Sequence, residues 1–268
     1  MKLFPTIARA WNAFVEYKKL LPLIVLVDIL FVYGLTRLHY EVFNRASTAA
    51  LKLTSMMSEQ VQELSSEAVP ELAVLQSAEF IAAYHELVRY ISIFFGAALL
   101  IWLAGKGITW FLAHKTVEKK TPAVIFATKF LGMTLLWFVI FILLTIGALQ
   151  VLDYSLFGVF PLVNKATANI FIVFVYWLLA YFVFISYALL PRKVLKQTFV
   201  LGVKFWKELL PVHAVTSLIF FVATTVPAHL VKINIYVSFA FIILLALPGI
   251  ALSRVLWAVA VQKVMRHA

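Results

Sequence analysis

An all-α, polytopic membrane fold is predicted by three observations. The chain has 268 residues, 64% of them hydrophobic and 13% charged, whereas soluble domains carry roughly 45–50% apolar and about 25% charged residues. Six apolar runs reach or approach the about 20 residues that a spanning helix needs; they lie near 20–36, 90–113, 130–152, 169–190, 211–230 and 236–260. Third, a basic, aromatic-bearing segment leads through Leu-Leu-Pro into an apolar run twice, at Tyr17-Lys18-Lys19-Leu20-Leu21-Pro22 and at Trp206-Lys207-Glu208-Leu209-Leu210-Pro211. A weaker third copy runs from Pro122 through Lys129 into Phe130. Each copy reads as a helix lying at the membrane surface that turns into a spanning helix, so the expectation is three helical hairpins in one membrane domain, 1–268.

The first run ends in Tyr33-Gly34-Leu35-Thr36-Arg37, without the small-residue cleavage site of a secretory signal, and is read as a retained helix. The long connection 37–89 carries seven glutamates and four basic residues. Leu53, Met57, Val61, Leu64 and Ala68 recur in it at helical spacing. Asn44 to Thr48 is read as a break, and Ser65-Ser66 with Pro70 as a turn, because serine caps helix starts and proline suits a first helical turn. Two helices near 47–66 and 70–89 are expected, the second running straight into the run that starts at Tyr90. The last two runs are joined by few residues around Lys232, which demands a tight turn.

Basic residues orient the chain. Lys2, Arg9, Lys18, Lys19, Lys115, Lys119, Lys120, Lys129, Arg192, Lys193, Lys196, Lys204, Lys207, Lys263 and Arg266 fall on one side, fifteen in all. Arg37, Arg45, Lys52, Arg89, Lys165 and Lys232 fall on the other, six in all. Both termini are therefore expected in the cytoplasm and the 37–89 hairpin outside. The net charge of +11 flanks apolar runs, so anionic lipid headgroups, not nucleic acid, are the expected partners. Headgroup contacts are assigned to Lys18, Lys19, Arg192, Lys193, Lys196, Lys204 and Lys207, the last five interleaved with Phe199, Phe205 and Trp206.

The two stronger copies align at an offset of 189, with Pro22 on Pro211 and Phe31 on Phe220. Both enter from the same side, unlike the halves of inverted-repeat transporters. This plan of surface helix, spanning helix, turn and spanning helix resembles the six-helix membrane domains of some prokaryotic glycerophosphodiester phosphodiesterases and related free-standing families of unknown function. The resemblance covers most of the chain and rests on pattern, without a diagnostic motif. It implies the six-helix fold alone, because the phosphodiesterase catalytic domain has no counterpart here. The 37–89 hairpin is longer than that pattern.

Chemistry is sparse. With no cysteine, disulfides, thiolate metal sites and cysteine nucleophiles are excluded. No His-Glu-x-x-His, paired-carboxylate or phosphate-cradling glycine motif occurs, and no cofactor is expected. Gly105-Lys106-Gly107 reads as close helix packing. Pro248-Gly249 should kink the last helix. His213 and His229 are too far apart along one helix to share a metal; His39, His85 and His114 are placed at interfaces.

Three charges fall inside apolar runs, where each costs roughly 2.5–3.5 kcal/mol on insertion scales: Asp28, Lys106 and Arg254. Each is nine residues from a basic anchor, Lys19, Lys115 and Lys263 respectively, or about 13 Å at 1.5 Å per residue. Both bases can reach headgroups along their own stems; Asp28 is too short and needs a partner or a proton. An ion pair of Asp28 with Arg254, Lys106 nearby, is the first reading, with proton or cation handling as its rival. The functional expectation is a non-catalytic accessory or scaffold protein, meeting lipids, another membrane protein or its own copies. A transporter or channel using these three charges is the alternative, and an intramembrane lipid-modifying enzyme ranks third.

Overall fold

The computed structural model describes residues 3–16, 18–64, 77–118, 122–156, 165–190 and 194–266. Among them lie eight helices and no strand: α1 (Leu3–Glu16), α2 (21–64), α3 (Ala78–Val117), α4 (Ala123–Leu156), α5 (Lys165–Ala188), α6 (Val194–Lys204), α7 (Trp206–Ile233) and α8 (235–265). A 3-10 turn, Lys18–Leu20, leads into α2. Six of the eight, α2, α3, α4, α5, α7 and α8, are long and apolar enough to cross a membrane. The chain divides into two compact units, Met1–Asp28 with Lys106–Ala268, and Ile29–Gly105.

The larger unit is built around the end of α8. From Ser253 to Val261 every residue is buried, and Trp257 is fully so. A helix apolar on all sides has no solvent face and belongs at the centre of a bundle. α1, α5 and α7 pack against it. α4 and α5 form an antiparallel pair laced by Thr145 Oγ1–Tyr176 Oη at 2.8 Å, Trp137 Nε1–Ser186 Oγ at 2.9 Å and Thr134 Oγ1–Tyr187 Oη at 3.1 Å. α7 and α8 are joined by Asn234 alone. Its extended backbone (φ −160°, ψ 122°) turns the chain, and its side-chain oxygen accepts from the amides of Tyr236 and Val237, capping α8. The short α6 lies on α5, where Tyr181 Oη donates to the Gly202 carbonyl at 2.9 Å. A side chain at Gly202 would run into Phe182 at 2.7 Å, so only glycine admits this approach.

The smaller unit holds the rest of α2 and the first part of α3. Phe31 meets Trp102, Phe43 meets Phe94 and Arg45 lies over Tyr90, at ring distances of 5.7, 5.8 and 5.9 Å. Each step up one helix is a step down the other, as in an antiparallel pair. Small residues line the seam: Ala46, Ala49 and Ala83 are 6%, 4% and 2% exposed.

Several expectations are corrected. Asn44–Thr48 does not break the helix. A π-helical turn, His39–Phe43, carries α2 through, and the Thr48 hydroxyl donates back to the Asn44 carbonyl at 3.0 Å instead of capping a new start. The second long helix starts at Ala78, with Ser77 Oγ accepting from the Phe80 amide at 3.2 Å; Ser65-Ser66 and Pro70 lie outside the described residues. Of the expected apolar stripe, Leu53 is buried but Met57 is 54% exposed, because the covered face follows the alanines. In the third basic-aromatic copy, one unbroken helix, α4, carries Lys129 and Phe130. Ahead of Pro248, a second π-helical turn, Ile242–Ala246, bonds the Leu247 amide to the Ile242 carbonyl. The wider turn absorbs the missing proline donor without opening the helix.

Candidate functional site

Asp28 sits one turn beyond Ile24 on the buried face of α2, and both are almost fully covered, at 1% and 2% exposed. Arg254 projects from the enclosed α8 and is 2% exposed. Its guanidinium forks onto the carboxylate, Nη1 donating to Oδ2 at 2.8 Å and Nη2 to Oδ1 at 2.9 Å. The Lys106 ammonium donates to the same Oδ1 at 3.0 Å. The structure thus brings together the three charges of the apolar runs. Nearby, Ile24, Leu112 and Ala251 from the same three helices form an apolar contact backed by Phe14 and Leu20.

This geometry suits the carboxylate's needs. Arginine's planar fork matches both carboxylate oxygens, giving two charge-assisted bonds with fixed direction. Lysine adds a third donor as a point charge. In a low-dielectric site, charges so paired hold three helices in one register, while stranding any one of them is costly. The members differ in access: the side chains of Asp28 and Arg254 are 1% and 3% exposed, that of Lys106 16%.

The surface lysines stand apart. Lys19, Lys196, Lys204 and Lys207 are exposed. Lys204 and Lys207 lie over the rings of Phe205 and Trp206 at 5.2 and 5.7 Å. Arg192, Lys193 and the side chain of Lys18 lie outside what the structure describes.

Sequence reasoning missed two buried histidines, each holding α5. His114, expected at an interface, is 2% exposed and bonds through Nε2 to the Tyr187 carbonyl at 2.8 Å. His213, 1% exposed, bonds through Nε2 to the Trp177 carbonyl at 3.0 Å. A carbonyl only accepts, so each Nε2 carries the proton. Rings of Trp177, Tyr181, Phe184 and Trp257 surround His213, at 4.5 to 6.2 Å. Nδ1 of His213, Oγ1 of Thr216 and Nε1 of Trp257 are buried and make no hydrogen bond among the described residues. A lone histidine in an apolar run carries no signal of such a setting. Among the described residues no group of histidine and carboxylate side chains could hold a metal.

Length, composition and fold define the class: an α-helical chain in which six helices are long and apolar enough to cross a membrane. No family model, curated protein or solved structure matches the chain.

Proposed function

We propose that the chain is a non-catalytic multi-pass protein of the cell membrane, both termini in the cytoplasm, serving as an accessory or scaffold component that contacts lipids or other membrane proteins. The observation that carries this reading is Asp28. A carboxylate 1% exposed and held by three donors from two bases is a structural clamp, because a transport site must release its ions and exchange them with water. The helix continuing past Pro248 from the π-helical turn supports the same reading, since a substrate-binding break would unwind the backbone. On this view the copies at Tyr17–Pro22 and Trp206–Pro211 are structural repeats that seat spanning helices in the inner interface, where Lys19, Lys196, Lys204 and Lys207 meet anionic headgroups. The fold resemblance to the phosphodiesterase membrane domains belongs to the same proposal.

The partial exposure of Lys106 favours transport as the second reading. Reconstitution of Asp28→Asn in liposomes separates the two. Loss of a proton- or ion-linked signal from a variant as stable as the parent would replace the scaffold reading by a transporter. Affinity purification from native membranes tests the scaffold directly: stoichiometric companions are expected, and a solitary chain with an ion flux contradicts it. Orientation is checked with single cysteines in this cysteine-free chain. In sealed right-side-out cells an impermeant reagent should label Gln62→Cys and spare Glu118→Cys; the reverse pattern overturns the topology.

A further inference from the structure

The face that α7 buries against α8 carries a polar stripe. His213 and Thr216 stand one turn apart on it, 1% and 0% exposed. Two contacts fix the register of the antiparallel pair. A Cβ on Gly249 would lie 3.4 Å from the Ile219 side chain, and the rings of His213 and Trp257 are 6.0 Å apart. Thr216, midway between His213 and Ile219, therefore lies opposite Ser253, midway between Trp257 and Gly249. Ser253 is also 0% exposed. His213 donates from Nε2 to the Trp177 carbonyl, which leaves Nδ1 as a bare acceptor. Nδ1 makes no hydrogen bond among the described residues, and neither does Thr216 Oγ1. A threonine inside a helix commonly bonds back one turn, as Thr224 does to the Phe220 carbonyl at 2.9 Å; the Thr216 hydroxyl is left for another partner. Ser253 Oγ donates to the Ile250 carbonyl at 2.7 Å and keeps its lone pairs for a donor.

We infer that this level of the α7–α8 contact binds one water molecule, which donates to His213 Nδ1 and to Ser253 Oγ and accepts from the Thr216 hydroxyl. The chemistry selects the ligand. Two acceptors and one hydroxyl call for a molecule that both donates and accepts; a bare cation does not accept, and a simple anion does not donate. Size selects it too, because the three groups are enclosed and the rings of Trp177, Tyr181 and Trp257 stand 4.5, 5.4 and 6.0 Å from the imidazole. Burying such groups without partners is costly, and proteins place internal water where buried polar groups are otherwise unsatisfied. The water is thus a hydrogen-bonded bridge between α7 and α8, one residue along α8 from Arg254. It is independent of the scaffold reading, since a bridge between these helices serves a scaffold and a transporter alike.

The test joins a high-resolution crystal structure of the full chain to thermal unfolding of variants in mild detergent. Oxygen density is expected about 2.7–3.2 Å from both His213 Nδ1 and Thr216 Oγ1. The three partners hold the water without the indole donor of Trp257, so Trp257→Phe should keep that density. Thr216→Val preserves the shape of the side chain and removes its hydroxyl. If the hydroxyl holds a water, the change should lower Tm by about 2–4 °C. The double variant Thr216→Val/Ser253→Ala should then fall by less than the sum of the two single changes, because the first already releases the water. A parent map with no oxygen touching both groups overturns the site. So does a Thr216→Val protein as stable as its parent, which would mean that the hydroxyl is buried dry. Strictly additive losses overturn the bridge to Ser253 and with it the proposal.

Discussion

The two units bury different kinds of side chain, and the contrast shows how differently two apolar helix assemblies are held. In the unit of residues 29–105 the seam is made of Gly34, Ala46, Ala49, Ala83 and Gly105. A side chain at Gly34 would touch Ile101 at 3.5 Å, and one at Gly105 would strike Phe31 at 2.7 Å. Small residues let two helices approach closely enough for dispersion along the whole seam. The unit around α8 instead encloses Trp110, Trp137, Tyr181, Tyr187, Trp257, His114 and His213, all 5% exposed or less. Their ring contacts are joined by side-chain hydrogen bonds and by the Asp28 clamp. One unit is a seam along a line; the other is a centre enclosed on every side.

The largest break in that contrast is expected at Trp257. Trp257→Ala should destabilise by about 3–5 kcal/mol, since a large buried ring leaves a cavity, whereas Trp102→Ala, at 38% exposed, should cost far less. Unfolding of both variants in one detergent measures the gap; equal losses would erase the distinction between centre and seam. Next in size is Ala49→Leu, which overfills the small-residue seam and should cost about 1–3 kcal/mol. A neutral result would mean that the helices of this unit have room to part. Asn234→Ala removes the cap on which the α7–α8 turn depends and should cost about 1 kcal/mol. Trp257→Phe has the smallest expected effect and the most diagnostic sign. It keeps most of the ring and removes an indole donor that makes no hydrogen bond among the described residues, so stability should hold or rise. A clear loss would show that the donor serves a bound polar molecule.

Much of the fold was legible in the sequence, for identifiable reasons. Spanning helices announce themselves by length and hydropathy, and charges in apolar runs stand out because so few are tolerated, which is why Asp28, Lys106 and Arg254 could be named beforehand. The seam at Ala46, Ala49 and Ala83 was not legible. A periodicity reading weights Leu53 and Met57 alike, yet only Leu53 is covered, because close helix packing places the alanines at the seam. Nor was the passage through Asn44, since a π-helical turn carries no composition signature and Thr48 satisfies itself by bonding back one turn. The enclosure of Trp257 and His213 depends on how α5, α7 and α8 meet, a long-range fact that local spacing does not encode.

The central claim is that Asp28 and Arg254 form a structural clamp, and a double-mutant cycle tests it most directly. Asp28→Asn, Arg254→Gln and their combination would be compared by thermal unfolding in detergent, with the single variants also checked for oligomeric state. Asp28→Asn takes the carboxylate from both Arg254 and Lys106 and should cost about 3–5 kcal/mol, a fall in Tm on the order of 10 °C; Arg254→Gln leaves Asp28 the Lys106 donor and should cost less. The double variant takes the carboxylate only from Lys106, the more accessible base, and should lose less than the sum of the two, a coupling of about 2–3 kcal/mol. Additive losses, or an Asp28→Asn protein as stable as its parent, would contradict the clamp.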